Sequence, residues 1–194
     1  MKKTLLLLTF VTVSLFSFSQ DAALTARLNS FIKANDEMDL DLILDFTYPK
    51  VFTIAPREKL KEALEEGFNS EDVKVTLDSM QILKVFPAFT IGEGTFAKVK
   101  YSFNMFMTFK ESENKENQQE ENEFMLSMMS ETYGKDNVSF DPALKAIKIK
   151  VNSEMAAIKD EHTKEWCFMD LVNNKAMNEI MLDKTILDKL ATYN

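Results

Sequence analysis

Lys98-Val99-Lys100-Tyr101-Ser102-Phe103-Asn104-Met105-Phe106-Met107-Thr108-Phe109 alternates almost without a break. Val99, Tyr101, Phe103, Met105, Met107 and Phe109 point one way, and Lys98, Lys100, Ser102, Asn104 and Thr108 the other, with Phe106 the exception. A period of two is the signature of a β-strand, because successive side chains leave opposite faces of the backbone. One apolar face and one largely polar face predict an antiparallel sheet that meets a core on one side and water on the other.

Upstream, Val73, Val75 and Leu77 alternate with Lys74, Thr76 and Asp78, after which Met80, Ile82 and Phe86 take the opposite parity. Such a slip predicts a bulge that bends a long strand, although burial of both faces from residue 80 onward gives the same pattern. Downstream, Ile147, Ile149 and Val151 alternate with Lys148 and Lys150 in a strand that runs on towards Ile158. Asp160 to Lys164 reads as a polar turn and Glu165 to Leu171 as the last strand, which makes a hairpin.

Helical spacing frames these strands. Leu24, Leu28, Phe31 and Ile32 fall on one face of an amphipathic helix. A second short helix runs through Leu40, Ile43 and Leu44, and Tyr48-Pro49 ends it, since the residue before proline is pushed out of helical geometry. Pro56 suits the first turn of a third helix, with Leu60, Ala63 and Leu64 as its buried stripe and Gly67 as its cap. Between these helices, Val51 to Ile54 reads as a short edge strand. Lys110 to Glu123 contains six Glu and no apolar residue, so it is expected to be an exposed, mobile loop. Phe124 to Tyr133 resumes a helical pattern with Met125, Met128 and Met129 on a shared face and Gly134 as its stop; Ile180, Met181, Ile186, Leu187 and Leu190 supply closing helical segments.

The beginning of the chain carries an address. Lys2 and Lys3, the apolar run Thr4 to Phe16 and the small residues around Ser17-Phe18-Ser19 have the three-part form of a secretion signal, which predicts cleavage near Ser19–Gln20. The run is too short, and too broken by Ser and Thr, for a membrane span, which needs about 20 apolar residues. Residues 1–19 are therefore read as a signal peptide and 20–194 as a single domain. The mature protein is expected to be periplasmic or extracellular, with no membrane span. A lipid anchor would need a cysteine at the cleavage site, and the one cysteine is Cys167.

Loss of Lys2 and Lys3 with the signal moves the formal charge from -8 to -10. An acidic chain without a basic cluster is a poor partner for nucleic acid or an anionic membrane surface. A lone cysteine makes no intramolecular disulfide, so an exported fold of this kind must be held by its core, which the 45% hydrophobic content and 16 Phe can supply. Cys167 lies in the apolar run Trp166 to Met169 and reads as a buried, inert thiol.

No set of catalytic or metal-binding residues stands out. His162, the only histidine, sits in Asp160-Glu161-His162-Thr163-Lys164-Glu165 at the expected hairpin tip, a surface turn rather than the three or four ligands of a zinc site. There is no Gly-x-Ser-x-Gly, and Gly92-Glu93-Gly94 lacks the pattern of a phosphate-cradling loop. Met105, Met107 and the Met125-Leu126-Ser127-Met128-Met129 run offer soft sulfur to Cu(I), but they fit core packing, or an adaptable apolar surface over a ligand or partner, better. No cofactor and no metal are expected.

The order of elements, with two N-terminal helices, a proline-started third helix, long bent antiparallel strands and a final Trp166-Cys167-Phe168-Met169-Asp170-Leu171 strand, resembles the nuclear transport factor 2-like superfamily, which includes the SnoaL-like cyclases. The resemblance covers residues 21–109 and 145–172, with about 110–144 as a charged loop and helix insertion. It implies an α+β fold in which a curved antiparallel sheet wraps around the N-terminal helices as a cystatin-like cone with an apolar pocket. Tyr48, Tyr101, Phe103, Trp166 and Asp170 would then line the ligand site.

Two functions follow from this reading. One is an exported, non-catalytic module that holds a small hydrophobic ligand or an envelope protein in or over an aromatic and Met-lined cone, with the exposed sheet face open to a homodimer. The other is a cofactor-free acid/base enzyme of isomerase, dehydratase or cyclase type, with Asp170, Tyr48 or Tyr101 as its proton carrier. Asp170 shares strand parity with Trp166 and Phe168, which would place its carboxylate on the pocket side.

Overall fold

The structure, a computed structural model, describes residues 22–110 and 115–194, without the side chains of 115–119. The expected signal segment and cleavage point lie outside the described residues, as does the 111–114 part of the acidic stretch.

Six strands form one open antiparallel sheet: β1 (Val73–Val85), β2 (Phe89–Ile91), β3 (Gly94–Phe109), β4 (Val138–Asp141), β5 (Ala146–Lys159) and β6 (Cys167–Asp170). Six helices accompany them: α1 (22–36), α2 (Leu40–Phe46), α3 (Arg57–Phe68), α4 (Lys115–Tyr133), α5 (Lys175–Met181) and α6 (Lys184–Ala191). The fold class is α+β. One side of β3 carries β1 and, at its start, β2, while the other side carries β5. The far edge of β5 holds β4 at one end and β6 at the other.

The parity slip in β1 is a bulge. Asp78 pairs with Asn104 and Gln81 with Ser102, so Ser79 and Met80 together stand opposite Phe103. Ser79 takes a left-handed φ of 57° to make this possible. The shift turns Met80 inward, and Met80 and Phe86 are buried.

Side-chain parity creates two cores. On one face, Leu24 and Leu28 of α1 and Phe46 of α2 pack on Ala97, Val99, Met155, Ala157, Trp166 and Phe168. Phe168 is the hub of an aromatic cluster, 5.0 Å from Phe31 and 6.2 Å from Phe46 between ring centroids. On the opposite face, Phe96, Ala156, Ile158, Cys167 and Met169 meet Met181, Leu182, Ile186 and Leu190 from the C-terminal helices. The expectation of one wet face therefore fails for the first part of β3, where Phe96, Ala97, Lys98 and Val99 are all buried because helices cover both sides. It holds further along, where Asn104 is half-buried and Thr108 exposed.

Between the two cores the chain passes around the sheet edge. Thr47 bridges to Phe168, and the Tyr48 N–H donates to the Phe168 carbonyl at 2.9 Å, which occupies the edge of β6. Arg27 of α1 locks the same corner. Its Nε donates to the Trp166 carbonyl at 3.0 Å, its Nη1 lies 3.0 Å from Glu165 and its guanidinium sits 4.2 Å over the Phe46 ring.

Several local expectations need correction. Val51–Ile54 is not a strand: Pro49–Thr53 forms a 3₁₀ turn, with Pro49 supplying the fixed φ that starts one. Pro56 is the cap before α3 rather than its first residue, and Gly67 lies inside that helix, which Asn69 caps. Ala63 is exposed, and α3 touches the core only through the partly buried Leu60. The acidic stretch is helical from Lys115 rather than a loop. Glu, Gln and Lys are strong helix formers, so the helix continues through a segment that has no apolar residue. Met128 is exposed, while Met125 and Met129 are half-buried.

α4 contacts β4 and β5, where Ile147 and Ile149 are fully buried. β2 and β4 were not expected. The β2–β3 hairpin turns on Gly92 and Glu93, with Gly92 at φ 60°.

Truncating the aromatic hub tests this packing. Phe168→Ala is expected to lower unfolding free energy by about 3–5 kcal/mol, read as a shift in urea midpoint with little change in slope.

Candidate functional site

A cleft of about 850 Å³ opens between the sheet and the C-terminal helices. Asn174 starts α5 by accepting the Met177 N–H on its side chain, and Asn178 then donates to the Leu171 carbonyl at 3.2 Å, which fixes α5 to the end of β6. α6 follows directly and buries Ile186 and Leu190. Leu171, Leu182, Leu187 and Leu190 line the apolar side of the cleft, and Lys175, Glu179, Lys184 and Asp188 also border it.

Lys98 and Glu154 are the charged groups that the sheet contributes. The Lys98 side chain is only 8% exposed, and its Nζ lies 2.7 Å from Glu154 Oε2. It also donates to the Tyr193 carbonyl at 2.8 Å, while Lys100 lies 3.5 Å from the second Glu154 oxygen. A buried ammonium needs such pairing, because an isolated charge out of water is costly. An ammonium has three donors, and two are engaged among the described residues.

The five residues expected to share a ligand site are dispersed. Tyr48 is fully buried in the core shared with α5 and α6, and its hydroxyl donates to Asp160 Oδ2 at 2.6 Å. Trp166 is 2% exposed in the core under α1, and its Nε1 is a buried donor without a partner among the described residues. Tyr101 and Phe103 are half-buried on β3 and stack with ring centroids 6.0 Å apart. Asp170 does share the parity of Phe168, but its oxygens are engaged. Oδ1 accepts the N–H groups of Val172 and Asn173, and Oδ2 accepts from the Asn173 amide and from the Ser153 hydroxyl at 3.3 Å. Tyr101 pairs across the strands with Ser153, which brings Tyr101, Ser153 and Asp170 together. None of the five borders the 850 Å³ cleft.

Burial governs the titration of these groups. It pushes the Tyr48 phenol far above its ordinary 10.0, and the Asp160 carboxylate that it bonds pushes the same way. Burial also raises Tyr101, partly offset by Ser153 and reinforced by the charge of Asp170. Both phenols are held neutral, and the Tyr48 hydroxyl donates to Asp160. Cys167 is 6% exposed and its thiol is pushed up by burial, which Arg27 partly offsets, so it is a packing residue rather than a nucleophile. His162 lies in the Asp160–Thr163 turn, 3.3 Å from Glu161. Among the described residues no group of three or more His, Cys, Asp or Glu is placed to hold a metal ion, and no helix is long and apolar enough to cross a membrane.

No protein-family model matches the chain, and no curated protein matches it.

Sequence reasoning missed the cleft because Lys98 and Glu154 look like ordinary residues of a wet sheet face. The available signal was the hydrophobic stripe Leu182, Ile186, Leu187 and Leu190, which needs an apolar surface beneath it. That surface has to be the face of β3 and β5 to which Lys98 and Glu154 belong.

The buried phenol predicts an alkaline limit. A tyrosine whose pKa is raised by folding contributes stability that is complete below its unfolded value and is lost as pH climbs through the folded one. The stability advantage of the native chain over Tyr48→Phe, measured by urea unfolding, is expected to be constant from pH 7 to about 9 and to shrink above about 10. An advantage that grows with alkalinity would contradict the burial of this hydroxyl.

Proposed function

We propose that the protein is an exported, non-catalytic binding module, and that its ligand lies between the sheet and the C-terminal helices rather than beneath α1. The observation that carries this reading is the 850 Å³ cleft with leucines on one side and a neutralised, nearly buried Lys98 on the other. Its volume falls in the range of small-molecule sites, about 300–1,000 Å³. The fitting ligand is amphipathic, with an apolar body against Leu182 and Leu187 and an oxygen acceptor that takes the remaining N–H of Lys98.

Binding is favoured over proton transfer by how the candidate acids and bases are used. Asp170 closes its own turn, and Tyr48 and Lys98 are each paired with a carboxylate. The order of helices and long bent strands supports a kinship with the nuclear transport factor 2-like superfamily, whose members serve as binding modules as well as enzymes. Export is supported by the Lys2-Lys3 start and the apolar run that follows.

Two measurements test the proposal. Laurate and 1-anilinonaphthalene-8-sulfonate, which join an apolar body to an anionic head, are expected to raise the melting temperature at concentrations well above Kd. Leu187→Glu is expected to weaken binding at least tenfold, by placing a charge against the apolar body and the anionic head. If neither probe shifts the melting temperature at about 1 mM, the cleft is not a ligand site. Mass spectrometry of protein recovered from its native cells is expected to find a chain beginning at Gln20; an intact Met1 terminus would remove export from the reading.

A further inference from the structure

On the same sheet face, beyond Lys100, lies a second concavity of about 460 Å³ that the helices leave uncovered. Its lining is polar: Gln81 on β1, Ser102 and Asn104 on β3, Ser139 on β4, and Lys148 and Lys150 on β5. We propose that this groove is a binding site for a neutral saccharide.

The first argument is the state of the lining groups. Gln81, Ser102, Asn104, Ser139 and Lys150 make no side-chain hydrogen bond or ion pair among the described residues. Ser102 is 7% exposed as a whole residue, yet among the described residues Trp166 Nε1 is the only side-chain polar atom buried without a partner, so the Ser102 hydroxyl still reaches the groove.

The second argument is residue choice. Central strands favour β-branched and aromatic residues, and asparagine is depleted there. Asn104 nonetheless sits mid-strand between β1 and β5, opposite Asp78 on one side and Lys150 on the other. Positions where a sequence departs from local preference are where function is expected.

The third is shape. The bulge at Ser79 and Met80 borders the groove, and Ser79 holds its left-handed backbone there. Bulges are over-represented beside binding sites, where they re-aim side chains.

The chemistry of the lining selects the ligand. Amide and hydroxyl side chains both donate and accept, as each sugar hydroxyl does, and strands about 4.8 Å apart repeat them on the scale of a pyranose ring. Asp136 is also in the lining and offsets one of the two charges of Lys148 and Lys150, and the remaining polar groups there are neutral.

The test is an array of neutral and acidic oligosaccharides probed with the labelled full chain, followed by calorimetric titration of what is retained. At least one neutral oligosaccharide is expected to bind with Kd on the order of 1 mM or tighter. Asn104→Thr is expected to leave the melting temperature unchanged or higher, since threonine suits a strand better, yet to weaken binding at least fivefold. Gln81→Ala, on an exposed side chain, is expected to weaken it similarly. No neutral saccharide bound at that concentration, retention of acidic glycans alone, or binding that survives both substitutions would each overturn the proposal.

Discussion

The unbroken ladder between β3 and β5 is the constraint on which the rest of the molecule depends. It runs from Thr95 opposite Lys159 to Met107 opposite Ile147 without a register shift. With the register fixed, parity assigns every side chain of both strands to a face. Ala97, Val99, Met155 and Ala157 go to the α1 face, and Phe96, Lys98, Ala156 and Ile158 to the α6 face. Ala97, Ala156 and Ala157 are fully buried, and their small size lets helices approach the central strands from both sides. The same ladder puts Lys98, Ser102 and Asn104 on one face, with the cleft at one end and the open groove at the other.

Helical cover on both faces answers the stability problem of a chain with a single free, buried cysteine. Each residue of the double-covered segment of β3 is removed from water, and apolar burial contributes roughly 25 cal/mol per Å². The cost falls on Lys98, a charge inside a covered face, and Glu154 with the Tyr193 carbonyl meets it. Tyr193 itself packs on Phe86, 5.1 Å between ring centroids, so the last residues also close the end of β1.

What the sequence made legible follows period and punctuation. The strand around Tyr101, the bulge after Asp78, the hairpin before Trp166 and the helices with apolar stripes all leave a local pattern. β2 has only three residues and β4 four, too few to alternate convincingly, and Gly92-Glu93-Gly94 matches no phosphate-loop pattern while its hairpin partners are too short to announce themselves. The N-terminal part of α4 was hidden because helix propensity without an apolar face resembles a disordered tract. The cleft was illegible for a different reason: it is made by residues 56 apart on two strands, Lys98 and Glu154, and by a helix whose docking face no local pattern reveals. Tyr48 reads from the sequence as a candidate for the ligand site, but what distinguishes it in the fold is a hydrogen bond to Asp160 across 112 positions, which a one-dimensional reading does not contain.

The corner held by Arg27 joins the beginning of the described chain to its last strand, with Trp166 139 residues away. Part of the partner surface of α1, Trp166 and Phe168, is therefore synthesised among the final segments, after Phe46, Ala97 and Val99 of the same core. Such long-range closure is slow relative to helix formation, because the loop must be ordered before the contact rewards it. The contact that closes the first core is thus one of the last the growing polypeptide can make, because its acceptor, the Trp166 carbonyl, belongs to the segment that leads into the final strand.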